Sequence, residues 1–140
     1  MAILTWHDQY LIGNSTIDEE HKMLFRLIND FHTGWFEKRD RAAVAKLLNQ
    51  LIQYGEMHFQ HEEGIMSAEG YPQLESHQRV HEKLVDEIFK LNQELVDKSQ
   101  LLERDMGKFL KQWLVDHIVH NDFEFRSFLE RKRREEQANY

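Results

Sequence analysis

A carboxylate and an imidazole on an apolar helical line constrain this chain more than any other feature. Leu48, Leu51, Gly55, His58, Glu62 and Ile65 recur at alternating spacings of three and four, which on an α-helix places them one above another on a single face. The pattern predicts one helix over 41–68, stopped at Glu69-Gly70 with Gly70 as the terminating residue. A charge in the middle of such a line is expensive to bury unless something compensates it. Either this helix is exposed at Glu62, or a cation faces it from the neighbouring elements.

Three more stretches read as helices. The first starts near Ser15 to Asp18, with Thr16 and Glu19 resembling a capping box, and covers 17–37. Its inward line is Ile17, His21, Leu24, Ile28, Phe31 and Trp35. Lys38-Arg39-Asp40 breaks the chain, with Asp40 as the cap of the second helix. The third helix covers 72–97 with Pro72 in its first turn, and repeats Leu74, His77, His81, Leu84, Ile88, Leu91 and Leu95 as a heptad-like line. The fourth covers 101–120 through Met106, Phe109 or Leu110, Trp113 and His117. Residues 1–16 form an irregular arm whose aromatics pack on the body, and 122–140 form a short helical extension ending in a mixed-charge, solvated run. Short connections make the helices antiparallel neighbours. The expectation is one all-α domain over 1–140, an up-down-up-down four-helix bundle.

Composition narrows the function. With no cysteine there is no disulfide framework and no thiolate metal site. A net charge of −7 disfavours nucleic acid as a partner. No apolar run is long enough to span a membrane, and the N-terminus has no signal-peptide pattern, so a cytoplasmic location is expected.

Every helix presents a metal-competent side chain to the interior: His21 on the first, His58 and Glu62 on the second, His77 and His81 on the third, His117 on the fourth. Nine histidines produce some four-residue spacings by chance, but not an inward one on all four helices. Their positions along antiparallel helices also bring them to one end at similar height. Imidazole and carboxylate donors suit iron, zinc, copper or nickel. Five histidines exceed what one tetrahedral zinc needs, so two metals sharing bridging carboxylates fit better. Periodicity leaves the next ligand open. After His117 the regular line continues to His120 or Asn121 and then Glu124, whereas Asp122 is rotated by about 140° in an ideal helix. His7, His32 and His61 read as structural or exposed, His120 as exposed or a neighbour of the site, and Glu63 as a surface or supporting carboxylate.

Taken together, the chain resembles the hemerythrin family in its single-domain bacterial form. The resemblance rests on Trp6 and Gly13, Ile17-Asp18-x-x-His21, His58-Phe59-x-x-Glu62-Glu63-x-x-Met66, Gly70-Tyr71-Pro72, His77-x-x-x-His81 and Trp113-Leu114-x-x-His117-Ile118-x-x-x-Asp122. It implies two iron ions, one held by His77, His81 and His117 and the other by His21 and His58. Glu62, Asp122 and an oxo or hydroxo group would bridge them. It selects Asp122 over Glu124, and so implies a fourth helix that is broken or overwound between His117 and Asp122. It further implies reversible dioxygen binding without a catalytic residue, in a dry pocket lined by Phe59, Trp113, Leu114 and Ile118, with dioxygen and a downstream oxygen-using enzyme as partners. The competing readings are a di-iron oxidase, peroxidase or nitric-oxide-handling enzyme, and an iron or oxygen sensor. The Glu-x-x-His pairs of carboxylate-rich di-iron bundles are absent from this sequence, which favours carriage over oxidation.

Overall fold

Asn14 starts the first helix. In the computed structural model, which describes residues 2–36, 41–97 and 106–138, α1 spans Ser15–Phe36. Asn14 Oδ1 accepts from the Ile17 N–H at 3.1 Å, and the Asn14 carbonyl takes the Asp18 N–H at 2.9 Å. The cap therefore lies two residues ahead of the expected Thr16, where a side-chain oxygen can reach an otherwise unpaired helical N–H. Asp18 faces back toward the arm and accepts from Ile12 N–H at 2.6 Å and Gly13 N–H at 3.2 Å. Gly13 turns there with φ of 98°, a conformation glycine adopts without a Cβ clash.

The second helix, α2, spans Arg41–Ala68 and ends as its sequence predicts. Gly70 has φ of 73°, Tyr71 N–H reaches back to the Met66 carbonyl at 2.9 Å, and Gly70 N–H to that of Ser67 at 3.1 Å. This is the paired closure of a Schellman motif. Because Tyr71 is spent on that closure, Pro72 falls in the connecting turn, and α3 starts two residues later than expected, at Leu74–Asp97.

The C-terminal third corrects the expectation more substantially. Helix α4, Met106–His117, passes into a π-helical turn, Ile118–Asp122, and then into α5, Phe123–Ala138. His117 and Phe123 both keep helical dihedrals at the joins. The segment is neither broken nor overwound after His117; it is locally wider, because a π turn bonds five residues apart instead of four. The expected end of the first helix at 37, the Asp40 cap, the fourth-helix start at 101 and the inward placement of Trp35 and Leu95 lie outside the described residues.

Helix α1 packs on α2 and α4, and α2 also packs on α3. Trp113 Nε1–H donates to the Leu84 carbonyl at 3.1 Å and links α4 to α3. The result is an up-down-up-down four-helix bundle with a helical extension, without a strand among the described residues. The arm remains irregular apart from one 3₁₀ turn, Asp8–Tyr10. Asn29 holds its start by accepting from Ile3 and Leu4 N–H and donating to the Leu4 carbonyl, and Trp6 meets Phe25 edge-on at 5.1 Å. Among the described residues no helix is long and apolar enough to cross a membrane.

The buried apolar residues form two separate clusters. The larger contains Leu24, Ile28, Leu48, Leu51, Ile88, Trp113, Leu114 and Ile118. The smaller contains Ile12, Ile17, Met66, Tyr71, Phe125 and Leu129. On α1 the order Ile17, His21, Leu24 passes from one cluster to the other through a histidine, and on α2 the order Leu51, His58, Glu62, Met66 does the same. A layer of buried polar side chains crosses the bundle between two hydrophobic halves.

Candidate metal centre

That layer consists of His21, His58, Glu62, His77, His81, His117 and Asp122, each at most 4% exposed. The α-helical spacing of four aligns His58 with Glu62 and His77 with His81. The π turn performs the same alignment for His117 and Asp122, which are five apart. His120 and Glu124, the residues a uniform helix favours, are exposed on the outside.

All five imidazoles aim Nε2 at the two carboxylates, and the two oxygens of each carboxylate serve different histidines. Glu62 Oε1 lies 2.8 Å from His77 Nε2 and 3.1 Å from His81 Nε2, while Oε2 lies 3.0 Å from His58 Nε2 and 3.4 Å from His21 Nε2. Asp122 divides in the same way, with Oδ1 at 3.1 Å from His77 and 3.2 Å from His117, and Oδ2 at 3.1 Å from His21. Two ligand sets result, each with donor atoms within 4.8 Å of one another. One is Glu62, His77, His81, His117 and Asp122; the other is His21, His58, Glu62 and Asp122. They share only the carboxylates.

Several of these atoms crowd together without bonding. His21 Nε2, His58 Nε2, Glu62 Oε2 and both Asp122 oxygens are fully buried and have no hydrogen-bond partner among the described residues. An orphaned buried polar atom costs about 1–3 kcal/mol, and five at one point are not sustainable unless their lone pairs converge on something else. Cations between them satisfy every one. The residues present therefore fit a pair of metal ions, with Glu62 and Asp122 spanning the two positions.

In the metal-free chain, protons take the place of that positive charge. Burial alone disfavours each imidazolium, but the carboxylates outweigh it. His58, facing the Glu62 charge, rises to about 9, His77, close against Asp122 and Glu62, to about 9, and His117, beside Asp122, to about 10. His21 is also raised against the effect of burial, through Asp122 and Glu62. Burial pushes the Glu62 and Asp122 carboxyls up, and for Asp122 the neighbouring Glu62 charge adds to this. The histidines reverse both shifts and hold the two carboxyls below the usual carboxylate range.

Behind the layer stand supporting groups: Glu63, read from the sequence as a surface or supporting carboxylate, Asn121, one continuation of the line after His117, and Glu20, which periodicity did not single out. His58 Nδ1–H donates to Glu20 Oε1 at 2.9 Å, His81 Nδ1–H to Glu63 Oε2 at 2.8 Å, and His117 Nδ1–H to Asn121 Oδ1 at 3.2 Å. His61, exposed as expected, also donates to Glu20, at 2.6 Å to Oε2. A signal for Glu20 exists, since Ile17, Glu20, His21 and Leu24 are spaced as one helical stripe. Phe59 stacks on the His81 ring at 4.0 Å and 12°, and meets His117 edge-on at 5.7 Å. Phe59, Trp113, Leu114 and Ile118 are all buried in the larger apolar cluster. A cavity of about 480 Å³ opens between α2 and α3, with Phe59, Glu63 and His81 in its lining.

Bundle and polar layer together define a class: an all-α protein with a buried cluster of histidines and shared carboxylates in its core that is able to bind metal. Comparison with known proteins gives that class its family. The model of the hemerythrin HHE cation binding domain matches residues 12–129, and the chain belongs to the hemerythrin family. It is 32% identical over 127 residues to a bacteriohemerythrin of Methylococcus capsulatus, covering 87% of this chain and 93% of that one. It is 30% identical over 122 residues to a bacteriohemerythrin of Stenotrophomonas maltophilia, covering 87% and 78%. A crystal structure of wild-type hemerythrin superposes with a TM-score of 0.74 at 29% identity, covering 86% and 93%.

Proposed function

We propose that this protein binds dioxygen reversibly at a non-haem di-iron centre, as a carrier or store rather than as an enzyme. The observation that carries the reading is the division of each bridging carboxylate between a three-histidine and a two-histidine set. The first set supplies five protein donors and the second four. Two ferrous ions held there would supply the two electrons that dioxygen binding needs, and the set of His21 and His58, with one donor fewer, would leave room for dioxygen.

The chain's own residues do the rest. Glu62 and Asp122, common to both donor sets, would hold both metals and neutralise part of their charge. The histidines, five against two carboxylates, bring less negative charge than a carboxylate-rich set and so favour holding dioxygen over splitting it. Phe59, Trp113, Leu114 and Ile118 keep the open side dry, which suppresses hydrolytic and proton-driven side reactions. The role proposed is that of a carrier that hands oxygen to a consuming enzyme in the cytoplasm.

The test is optical. Anaerobic protein reconstituted with two ferrous ions should develop visible charge-transfer absorption in air and lose it on deoxygenation, over repeated cycles. Irreversible bleaching coupled to consumption of an added reductant would assign an oxidase or peroxidase instead. Metal analysis showing one zinc per chain would overturn both.

A further inference from the structure

The two halves of the centre are supported differently from outside. His58, in the two-histidine set, is backed by Glu20 of α1, whose second oxygen is held by the surface residue His61. His81, in the three-histidine set, is backed by Glu63 of its neighbour α2. Glu20 is buried, whereas the His61 side chain is 48% exposed. A carboxylate buried at the edge of the layer, bonded on both oxygens and touching no metal position, has its partner's orientation as its evident work. An acceptor at Nδ1 settles which imidazole nitrogen carries the proton and leaves Nε2 free as a donor to metal.

We propose that Glu20 is the positioning residue of the two-histidine half, holding the His58 ring with Nε2 toward the metal, and that His61 locks the Glu20 carboxylate in place from the surface. Glu63 is the corresponding residue for His81. The halves are thus tuned by separate carboxylates, and the one that carries the open position is tuned by a carboxylate reaching across from α1. Ring rotation at His58 is opposed by the Glu20 hydrogen bond at Nδ1, which leaves Nε2 turned toward Glu62 at 3.0 Å. This inference rests on the two-metal reading above.

The experiment measures metal release, not oxygen binding. Ferrous-loaded protein is challenged anaerobically with an excess of a ferrous chelator, and the departure of each equivalent is followed. Wild-type protein that takes up fewer than two ferrous ions overturns the two-metal reading itself, before any variant is compared. Given two, Glu20→Gln should speed the release of one equivalent about 10–100-fold, the range for loss of a supporting partner, and leave the other within about twofold. Glu63→Gln should speed the opposite equivalent. His61→Ala should retain both metals and show a smaller acceleration of the same equivalent as Glu20→Gln. Should Glu20→Gln fail to fold, His61→Ala at the exposed end carries the comparison. Wild-type release rates in both Glu20→Gln and His61→Ala, or equal acceleration of both equivalents, would overturn the proposal, since a merely structural residue loosens both halves alike.

Discussion

Glu62 is fully buried, and among the described residues its charge faces only histidines that are themselves buried. Its removal should therefore do more than delete one ligand. Glu62→Ala should lower iron content from two per chain to one or none, and should destabilise the metal-free bundle by about 3–5 kcal/mol, as for any buried charge cluster that loses a partner. Metal analysis with urea unfolding checks both, and unchanged iron content would contradict the bridging role. The same charges set the pH response. In metal-free protein His58, His77 and His117 sit at about 9, 9 and 10, against about 6.5 when unfolded. Their stabilisation is complete below about pH 6.5 and is lost as pH rises through 9 to 10. Glu62 and Asp122, held low, contribute above the unfolded carboxylate range near pH 4 and lose that contribution as pH falls. The urea midpoint of stripped protein should accordingly drop between pH 7 and 10, while metal affinity rises over the same interval because binding displaces protons. A midpoint independent of pH there would show that the histidines carry no such charge.

At the scale of elements, the π turn decides what the centre contains. After His117 the buried positions are Ile118, Asp122, Phe125 and Leu129; along the line of His117 itself, with Ile118 on the neighbouring line, the spacings are five, three and four. An α-helix would read four, three and four, so the segment is a regular stripe with one residue inserted. Single π turns are strained relative to α-helix and concentrate at functional positions. Deleting Val119, which is 38% exposed, should restore the uniform stripe. The variant should keep its helical circular dichroism and unfold at an equal or higher urea concentration, yet bind ferrous iron more weakly, because the carboxylate no longer sits where a five-residue turn puts it. Full two-metal affinity in the deletion variant would mean that the turn has no part in the site. This is also why the sequence misled here. Periodicity assumes one pitch throughout, and on a constant pitch His120 and Glu124 face inward while Asp122 does not.

Across the whole molecule, the polar layer separates the larger apolar cluster from a smaller one of six buried residues. The smaller cluster depends on the arm and α5 as much as on the bundle. Arg126 Nη1 holds the Gln9 carbonyl at 2.9 Å, Arg133 that of Gly13 at 2.7 Å, and Lys132 that of Glu69 at 2.9 Å. Metal bound only to the native state stabilises it by about 2.7 kcal/mol per site at a hundredfold excess over Kd. Metal removal should therefore lower the melting temperature, and hydrogen exchange should show the loss of protection concentrated in α5 and the N-terminal turn of α1, with Leu24 to Phe31 retaining theirs. Uniform loss along the chain would show that the layer does not divide the core.

Spacing along the chain is enough for the helical class, the inward lines of three helices and six of the seven residues that meet in the layer, His21, His58, Glu62, His77, His81 and His117. Those properties follow from local spacing, which a regular helix converts directly into a face. Resemblance to a family, and not periodicity, pointed to Asp122. Only the tertiary structure decided the rest. The widened turn brings Asp122 inward, and each carboxylate divides its oxygens between two sets of histidines. Glu20, Glu63 and Asn121 stand behind the imidazoles. Apart from Asp122 and Asn121, which lie in the turn itself, these are relations between helices, and a pattern along one chain segment carries no information about which neighbour its side chains will meet.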